Sequence, residues 1–200
     1  RPALMKIAYS NLERIHFTLI QITREEKDRI FSRYGDERHD ILRQLSTFRN
    51  WSEDLPDQED YNQHALETTI DPLPYGEYLL LFSRNRNWKR DQEYDMLNFV
   101  VSRIGFVSRD NEDRNTDFLL MDRETGQPLA GVEATFFFRE YNSPKQAYEN
   151  RPIGTAVSDE RGIVTSLASN RGFQVRFRNG QDVLFTGESY YNYGRRPTPN

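Results

Sequence analysis

The residue types that usually carry chemistry are sparse in this sequence, and they are not grouped. The chain contains no cysteine, which excludes disulfides, thiolate metal sites and cysteine nucleophiles. Its three histidines, His16, His39 and His64, do not show the short spacing that places two imidazoles on one metal ion. We therefore interpret them as surface side chains and predict no metal site.

Two acidic segments have the oxygen-rich composition that calcium sites use. Asp110–Asp113 reads Asp-Asn-Glu-Asp, but it lacks the glycine and the distal glutamate that an EF-hand loop requires. We interpret it as a solvated turn, and we interpret Asp57–Asp60 in the same way. Paired carboxylates elsewhere could serve as the acid and base of a glycosidase, but nothing in the sequence marks a specific pair.

The sequence motifs of nucleophilic and phosphate chemistry are also missing. None of Ser102, Ser108 and Ser158 lies in a Gly-x-Ser-x-Gly motif. Neither of the glycine-rich patterns that cradle phosphate groups occurs. We predict no cofactor and no enzymatic activity.

Composition limits the class of protein. The 200 residues allow one large domain or two small ones. Aromatic residues make up 13% of the chain, which argues against disorder because disordered chains are poor in them. The net charge of -4 gives no electrostatic reason to expect nucleic-acid binding. No apolar run approaches the roughly 20 residues that cross a bilayer, and the Arg1-Pro2 start is typical of a processed or excised fragment.

The first half of the chain mixes strand and helix signals. Residues 14–22 alternate between apolar and polar side chains, which predicts a half-buried strand with Ile15, Phe17 and Leu19 on one face. Residues 23–50 are charge-dense and predict one or two short helices, the second with Asp36 as its N-cap. An extended strand near Leu42–Phe48 is the alternative, because such short runs do not separate the two periods.

The rest of the first half predicts a long loop followed by a hairpin. Residues 51–74 are rich in proline and carboxylates, which is typical of a loop. Glu77–Ser83 and Tyr94–Val101 predict strands, and residues 85–93 between them predict a polar hairpin tip.

The second half predicts seven short strands in about 100 residues, which is the pattern of an immunoglobulin-like β-sandwich. Turn residues separate these strands, and Asn179-Gly180 is the strongest hairpin signal. The predicted strands are Ile104–Val107, Phe118–Met121, Val132–Phe138, Thr155–Val157, Ile163–Leu167, Phe173–Phe177 and Val183–Phe185. We predict two domains, 1–101 and 102–193, joined by a short linker that restricts their angle, with a tail at 194–200.

Two turns in the second half carry the most specific signal. The first reads Asp122-x-x-Thr125-Gly126-x-Pro128-x-x-Gly131-Val132, and about 25 residues later a second reads Ser158-Asp159-x-x-Gly162-Ile163. Glycine accepts the positive φ of such turns, and proline fixes the backbone where the first turn ends. We expect the following residues to shape these turns: Asp122, Thr125, Gly126, Pro128, Gly131, Asp159 and Gly162.

This pair of turns resembles the MG2-type macroglobulin-like domain of the α2-macroglobulin family, above all its bacterial, Bacteroidetes-type members. Leu73–Leu81 resembles the segment that closes the preceding macroglobulin domain, and Phe99–Arg109 resembles the junction with the next one. The resemblance is good over roughly 73–190 and loose over 1–72. A similar turn pair also occurs in carboxypeptidase-regulatory-like and bacterial adhesion sandwiches.

The resemblance implies a mainly all-β chain of two tandem macroglobulin-like sandwiches, the first with a helical or irregular insertion near 24–70. It implies a scaffold fragment of a large cell-envelope protein, periplasmic or extracellular, whose parent inhibits or traps proteases. Its partners would be neighbouring domains of the same longer chain and, through the parent, proteases. Without cysteine, the family's thioester does not lie in this segment.

The aromatic tail suggests an alternative. Tyr190, Tyr191 and Tyr193, followed by Arg195 and Arg196, could stack on sugars. The chain would then be a carbohydrate-binding or adhesive module. The other interpretation is that these tyrosines form an interface with a neighbouring domain.

Overall fold

The computed structural model describes residues 2–56, 60, 62–86, 94–113, 115–144, 147–167 and 171–191. The chain divides into two compact units, Arg1–Val101 and Ser102–Asn200. Within the described residues it is mainly β, which confirms the predicted fold class. No helix of the described residues is long and apolar enough to cross a membrane.

The described part of the first unit contains two layers of strands and two helices. Its elements follow in the order β1 (Ala3–Tyr9), β2 (Arg14–Ile22), α1 (Arg24–Phe31), α2 (Gly35–Gln44), β3 (Arg49–Asp54), β4 (His64–Ile70), β5 (Gly76–Ser83) and β6 (Tyr94–Val101). As far as the described residues show, β3-β2-β5-β6 form a four-stranded antiparallel sheet, and β1 pairs with β4 in a separate ribbon.

The central strand β2 is buried on both faces. Ile15, Phe17 and Leu19 pack with residues of the β1–β4 ribbon, as the predicted alternation requires. Ile20 and Ile22 point the other way and pack with Ile30 of α1 and Leu42 of α2. The helices therefore cover one face of the sheet and the ribbon covers the other.

The helical part of 23–50 is confirmed, with one correction. Helix α1 begins with a capping box, in which the Thr23 hydroxyl accepts from the Glu26 amide at 3.2 Å and the Glu26 carboxylate accepts from the Thr23 amide at 2.8 Å. Asp36 is not the N-cap of α2, because that position is taken by Tyr34, whose side chain makes no capping bond. The alternative strand near Leu42–Phe48 is wrong, since α2 continues to Gln44.

The loop predicted for 51–74 is also wrong in part. Strand β3 reaches Asp54 and β4 occupies His64–Ile70, so two sheet strands lie within the expected insertion. The predicted β5–β6 hairpin forms, but most of its tip lies outside the described residues, as do residues 57–59 of the acidic segment.

The second unit contains the seven predicted strands. They are β7 (Ile104–Asp110), β8 (Thr116–Asp122), β9 (Glu133–Asn142), β10 (Ala147–Val157), β11 (Ile163–Thr165), β12 (Gln174–Asn179) and β13 (Asp182–Phe185). In the described part of the unit, β10-β9-β12-β13 and β11-β8-β7 form two antiparallel sheets. Buried aromatic residues, among them Phe118, Phe136 and Phe177, fill the core.

The Asn179-Gly180 hairpin forms, with its loop shifted by one residue. Asn179 pairs with Asp182, so the two loop residues are Gly180 and Gln181. Gly180 has φ 61° and Gln181 is not in the positive-φ region. Positive φ at the first loop position alone is the pattern of a type II′ turn, which favours glycine there.

Candidate functional site

The predicted turn at Asp122 is built around its carboxylate. Asp122 ends β8, and its Oδ1 accepts from the backbone N–H of Glu124 at 2.8 Å and of Thr125 at 3.1 Å. The Gly126 N–H donates to the Asp122 carbonyl at 2.8 Å, and Gly126 has φ 72°. The Asp122 side chain thus closes the loop that follows the strand.

The second turn is held in the same way and meets the first. The Asp159 Oδ1 accepts from the Arg161 and Ile163 amides at 2.9 and 2.8 Å. Gly162, at φ 76°, accepts a hydrogen bond from the Leu120 amide at 2.8 Å. A Cβ at Gly162 would lie 2.4 Å from the Leu120 carbonyl oxygen and 3.2 Å from the Pro128 Cβ. The two turns are therefore in van der Waals contact at Gly162.

Ser158 joins these turns to the start of β9 through bonds that the sequence analysis did not predict. It is 5% exposed, its hydroxyl accepts from the Val132 amide at 2.9 Å, and it donates to the Leu129 carbonyl at 2.7 Å. The Gly131 amide donates to the Ser158 carbonyl at 3.0 Å. The structure thus brings together Asp122, Thr125, Gly126, Pro128, Gly131, Asp159 and Gly162 at one end of the second unit.

Both carboxylates at this end have lowered pKa values. The pKa of Asp122 lies below its ordinary value because the Glu124 amide, and after it Thr125 and Arg103, bind the charged form. The Arg103 guanidinium lies 2.6 Å from Asp122 Oδ2. The pKa of Asp159 is lowered chiefly by the Ile163 amide. Both carboxylates therefore accept hydrogen bonds from the backbone of their own loops, and these bonds stabilise the turns.

The tyrosines at the end of the second unit do not form one exposed cluster. Tyr190 is half-buried and bridges to Phe173, and its ring packs edge-on against Phe118 with 4.9 Å between centroids. Burial raises its pKa. Its ring is thus part of its own sandwich, and the interface role of Tyr190 stays a prediction for the half that is exposed. Tyr191 is 51% exposed, and Tyr193 and the tail 194–200 lie outside the described residues.

A cleft of about 230 Å³ in the first unit gathers polar side chains. It is lined by Tyr9, Asn11, Leu12, Glu13, Pro56, Asp60 and His64. The His64 Nε2 lies 2.6 Å from Asp60 Oδ1, and this hydrogen bond, with those from Asn62, lowers the pKa of Asp60 to about 2. The Tyr9 hydroxyl donates to the Pro56 carbonyl at 3.1 Å. The His64 imidazole and the Asp60 carboxylate thus bond to each other, and the Tyr9 hydroxyl bonds to the cleft wall.

The three histidines belong to three different elements of the first unit. His39 is 4% exposed and its ring lies 6.2 Å from that of Tyr94, so its interpretation as a surface residue is wrong. His16 and His64 are half-buried on separate strands. In the part of the chain that the structure describes, no group of three or more His, Cys, Asp or Glu side chains could hold a metal ion.

Comparison with known proteins identifies the fold. No protein-family model matches the sequence, and no curated protein matches it significantly. The crystal structure of native alpha-2-macroglobulin from Escherichia coli spanning domains MG0-NIE-MG1 matches with a TM-score of 0.65 and 15% identity, covering 90% of this chain and 57% of that chain. The crystal structure spanning NIE-MG1 matches with a TM-score of 0.64 and 15% identity, covering 90% of this chain and 86% of that one.

A third structure gives the scale of the whole protein. The cryo-EM reconstruction of native E. coli alpha-2-macroglobulin matches with a TM-score of 0.55 and 15% identity, covering 90% of this chain but 11% of that chain. At this identity the likeness shows the fold alone. The chain has the fold of this part of the E. coli protein, and it spans about half of the first structure and about a tenth of the whole.

Proposed function

We propose that this chain is a non-catalytic scaffold segment of a bacterial alpha-2-macroglobulin-like protein. The observation that carries the proposal is the extent of the fold match, which covers 90% of this chain and 86% of the NIE-MG1 structure. A likeness between single sandwiches would reach only one of the two units. Here it extends over most of both.

The same match suggests which domains these are. Coverage of the solved structure rises from 57% to 86% when that structure lacks MG0. We therefore propose that the matched part corresponds to NIE-MG1, with residues 1–101 in the NIE position and residues 102–200 in the MG1 position. The sequence favoured an MG2-type second domain, and we now propose MG1.

The geometry of the second unit supports a scaffold role. The carboxylates of Asp122 and Asp159 accept hydrogen bonds from the backbone of their own loops. These bonds fix the backbone at one end of a sandwich, which is what a domain needs when neighbours stack on it. We propose that its partners are neighbouring domains of a longer chain, and that proteases are met only through the parent protein.

The cellular location of the parent protein is part of the same proposal. The resemblance to bacterial members of the family supports a parent at the cell envelope, periplasmic or extracellular, with a lipid anchor as a further expectation. Fractionation of cells expressing the tagged parent would test this, and recovery in the cytoplasmic fraction would contradict it.

Protease shielding by the full-length parent is the direct test of function. After the parent is cleaved by a protease, the captured enzyme should still cut a small peptide but resist a macromolecular inhibitor. The 200-residue chain alone should give no shielding. Failure of the parent to shield any protease from a panel of different specificities would contradict the proposal.

Matched variants test whether this segment belongs to the scaffold. Gly162→Ala in the parent should reduce shielding because the new Cβ would lie 2.4 Å from the Leu120 carbonyl oxygen. Gly126→Ala should have a much smaller effect, since no neighbouring heavy atom lies within 4 Å of its added Cβ. Shielding by the Gly162 variant that equals that of the unsubstituted parent would contradict a scaffold role for this segment.

The alternative, a carbohydrate-binding or adhesive module, depends on Tyr191. Tyr191 is 51% exposed and its ring lies beside Gly172, and sugars stack on exposed aromatic rings. A glycan array probed with the wild-type chain and with Tyr191→Ala would test it. Binding that disappears in the variant would favour this alternative over a purely structural role.

A further inference from the structure

The hairpin of β9 and β10 extends beyond the sheet that it belongs to. Strand β9 pairs with β12 only over residues 133–137, whereas its pairing with β10 continues to Asn142 and Ala147. Beyond Phe137, the hairpin is therefore a two-stranded ribbon that β12 does not flank. Such ribbons keep their shape through cross-strand side-chain pairs.

The two faces of this ribbon differ in charge. One face carries Glu140 and Glu149, which lie opposite each other. Arg171 and Arg151 bind Glu140 at 2.9 and 3.4 Å, and Asn142 donates to Glu149 at 2.9 Å. The charges on this face are therefore balanced within the unit.

The other face, which we call the Arg–Tyr face, consists of Arg139, Tyr141, Tyr148 and Asn150. Tyr141 and Tyr148 are direct cross-strand partners, are 55% and 59% exposed, and pack edge to face with 5.2 Å between centroids. The Arg139 guanidinium lies over the Tyr148 ring, 4.8 Å from its centroid. Exposed tyrosine and arginine side chains are enriched where proteins dock.

Arg139 is the one charged residue of this face, and it is exposed. Among the described residues the structure shows no carboxylate within ion-pair distance of Arg139, in contrast to Arg151 and Arg171. Stacking on Tyr148 holds the guanidinium plane in place, while its edge keeps the N–H donors that bind a carboxylate in bidentate fashion. An ordered donor loses less conformational freedom when a ligand binds.

The Arg–Tyr face continues a larger positive surface. The strand register places Arg176 and Arg178 on the same side of the sheet as the Arg–Tyr face. In the described strands, this side carries one carboxylate, that of Glu133. The whole chain has a net charge of -4, so this side differs in sign from the molecule as a whole. A surface of this kind is complementary to an acidic partner.

We propose that the Arg–Tyr face is a docking site for a protein segment that presents a carboxylate beside an apolar side chain. The carboxylate binds the edge of Arg139, and the apolar side chain packs on Tyr141. A sugar fits less well, because Arg139 covers one face of Tyr148 and the two rings meet at 64° rather than forming a flat platform.

NMR titration of the ¹⁵N-labelled chain tests the proposal. The probe is a synthetic peptide of alternating aspartate and leucine, and its control has asparagine in place of aspartate. The aspartate peptide should shift amide resonances of residues 138–142 and 147–151, and the control peptide should not. Arg139→Gln should weaken binding by about tenfold, as expected for the loss of a charge-assisted bond.

Matched variants and alternative occupants complete the test. Arg151→Gln, on the opposite face of the ribbon, should leave the peptide affinity within a factor of about two because its partner is Glu140. Equal effects of the two arginine variants, or equal binding of both peptides, would overturn the proposal. Shifts of the same residues with a neutral oligosaccharide, or with rising concentration of the chain alone, would replace it by a sugar site or by self-association.

Discussion

At the scale of single residues, Gly162 is a position where the second unit leaves no room for a side chain. Its φ of 76° is the left-handed region, which costs an L-residue about 1–2 kcal/mol. An added Cβ would also lie 2.4 Å from the Leu120 carbonyl oxygen, which is backbone and must move. We expect Gly162→Ala to lower the free energy of unfolding by roughly 3 kcal/mol, measured by chemical denaturation.

Gly126 is the natural control for this prediction. It has a similar φ of 72°, but no heavy atom lies within 4 Å of its added Cβ. Gly126→Ala should therefore cost only the backbone strain, about 1 kcal/mol. If the two variants are equally stable, close packing between the turns is not what requires glycine at position 162.

Asp122 gives the second unit a pH dependence with a definite sign. Its pKa is below the ordinary value of 3.8, chiefly because the Glu124 amide binds the carboxylate. A carboxylate with a lowered folded-state pKa stabilises the protein above its unfolded pKa, and this stabilisation is lost as pH falls through the folded value. Asp122→Ala should therefore lower the Tm at neutral pH and should flatten the fall in Tm below about pH 4.

Asp122→Asn separates the two causes of this effect. Its amide oxygen can still accept from the Glu124 and Thr125 amides, but its attraction for Arg103 is gone. It should therefore lose less stability than Asp122→Ala at neutral pH. A Tm profile for Asp122→Ala that runs parallel to the wild type down to about pH 3 would contradict this interpretation.

At the scale of elements, strand β12 carries two arginines that have different surroundings. The Arg176 guanidinium lies 5.4 Å from the Phe137 ring centroid and donates to the Thr135 hydroxyl at 3.2 Å. Arg178 lies two residues further along β12, on the same side of the sheet, and is exposed. Arg176→Lys should cost about 0.5–1 kcal/mol because lysine lacks the planar donor group, whereas Arg178→Lys should stay within about 0.5 kcal/mol. Thermal denaturation of both variants would check this, and an equal Tm would contradict it.

Elements with a clear apolar period could be predicted, and those without one could not. Strand β2 and the seven strands of the second unit alternate or form apolar runs between turn residues, so their existence is visible locally. Strand β3 contains one apolar residue, Trp51, which stacks on Phe17 of β2. Its place in the sheet comes from that partner, which lies 34 residues away in the chain, so the acidic composition around it looked like a loop.

The turns at the end of the second unit show the same limit. Asp122 and Asp159 bind amides two to four residues away, and such local geometry follows from the spacing of aspartate and glycine. Ser158 binds Leu129 and Val132, which are 29 and 26 residues away, and no local pattern shows which residues it binds. The two turns could therefore be predicted from the sequence, but the hydrogen bonds that connect them could not.

At the scale of the whole molecule, each unit has its own buried core. Leu19, Tyr78 and Leu80 belong to the core of the first unit, and Phe118, Phe136 and Phe177 are buried in the second. The division falls between Val101 and Ser102, where the chain passes from the end of β6 to the start of β7. A unit with its own core and its own hydrogen-bonded sheets is expected to fold alone.

We therefore predict that fragments 1–101 and 102–200 fold independently. The ¹⁵N–¹H spectrum of each fragment should reproduce the peaks of the full chain, apart from residues near the cut. A control cut between residues 130 and 131 should give an unfolded second fragment, because it removes β7 and β8, and with them Phe118, from the sandwich. If either fragment cut at 101 has the narrow amide dispersion of an unfolded chain, the two units form one cooperative domain, and the proposed correspondence to separate NIE and MG1 domains loses its physical basis.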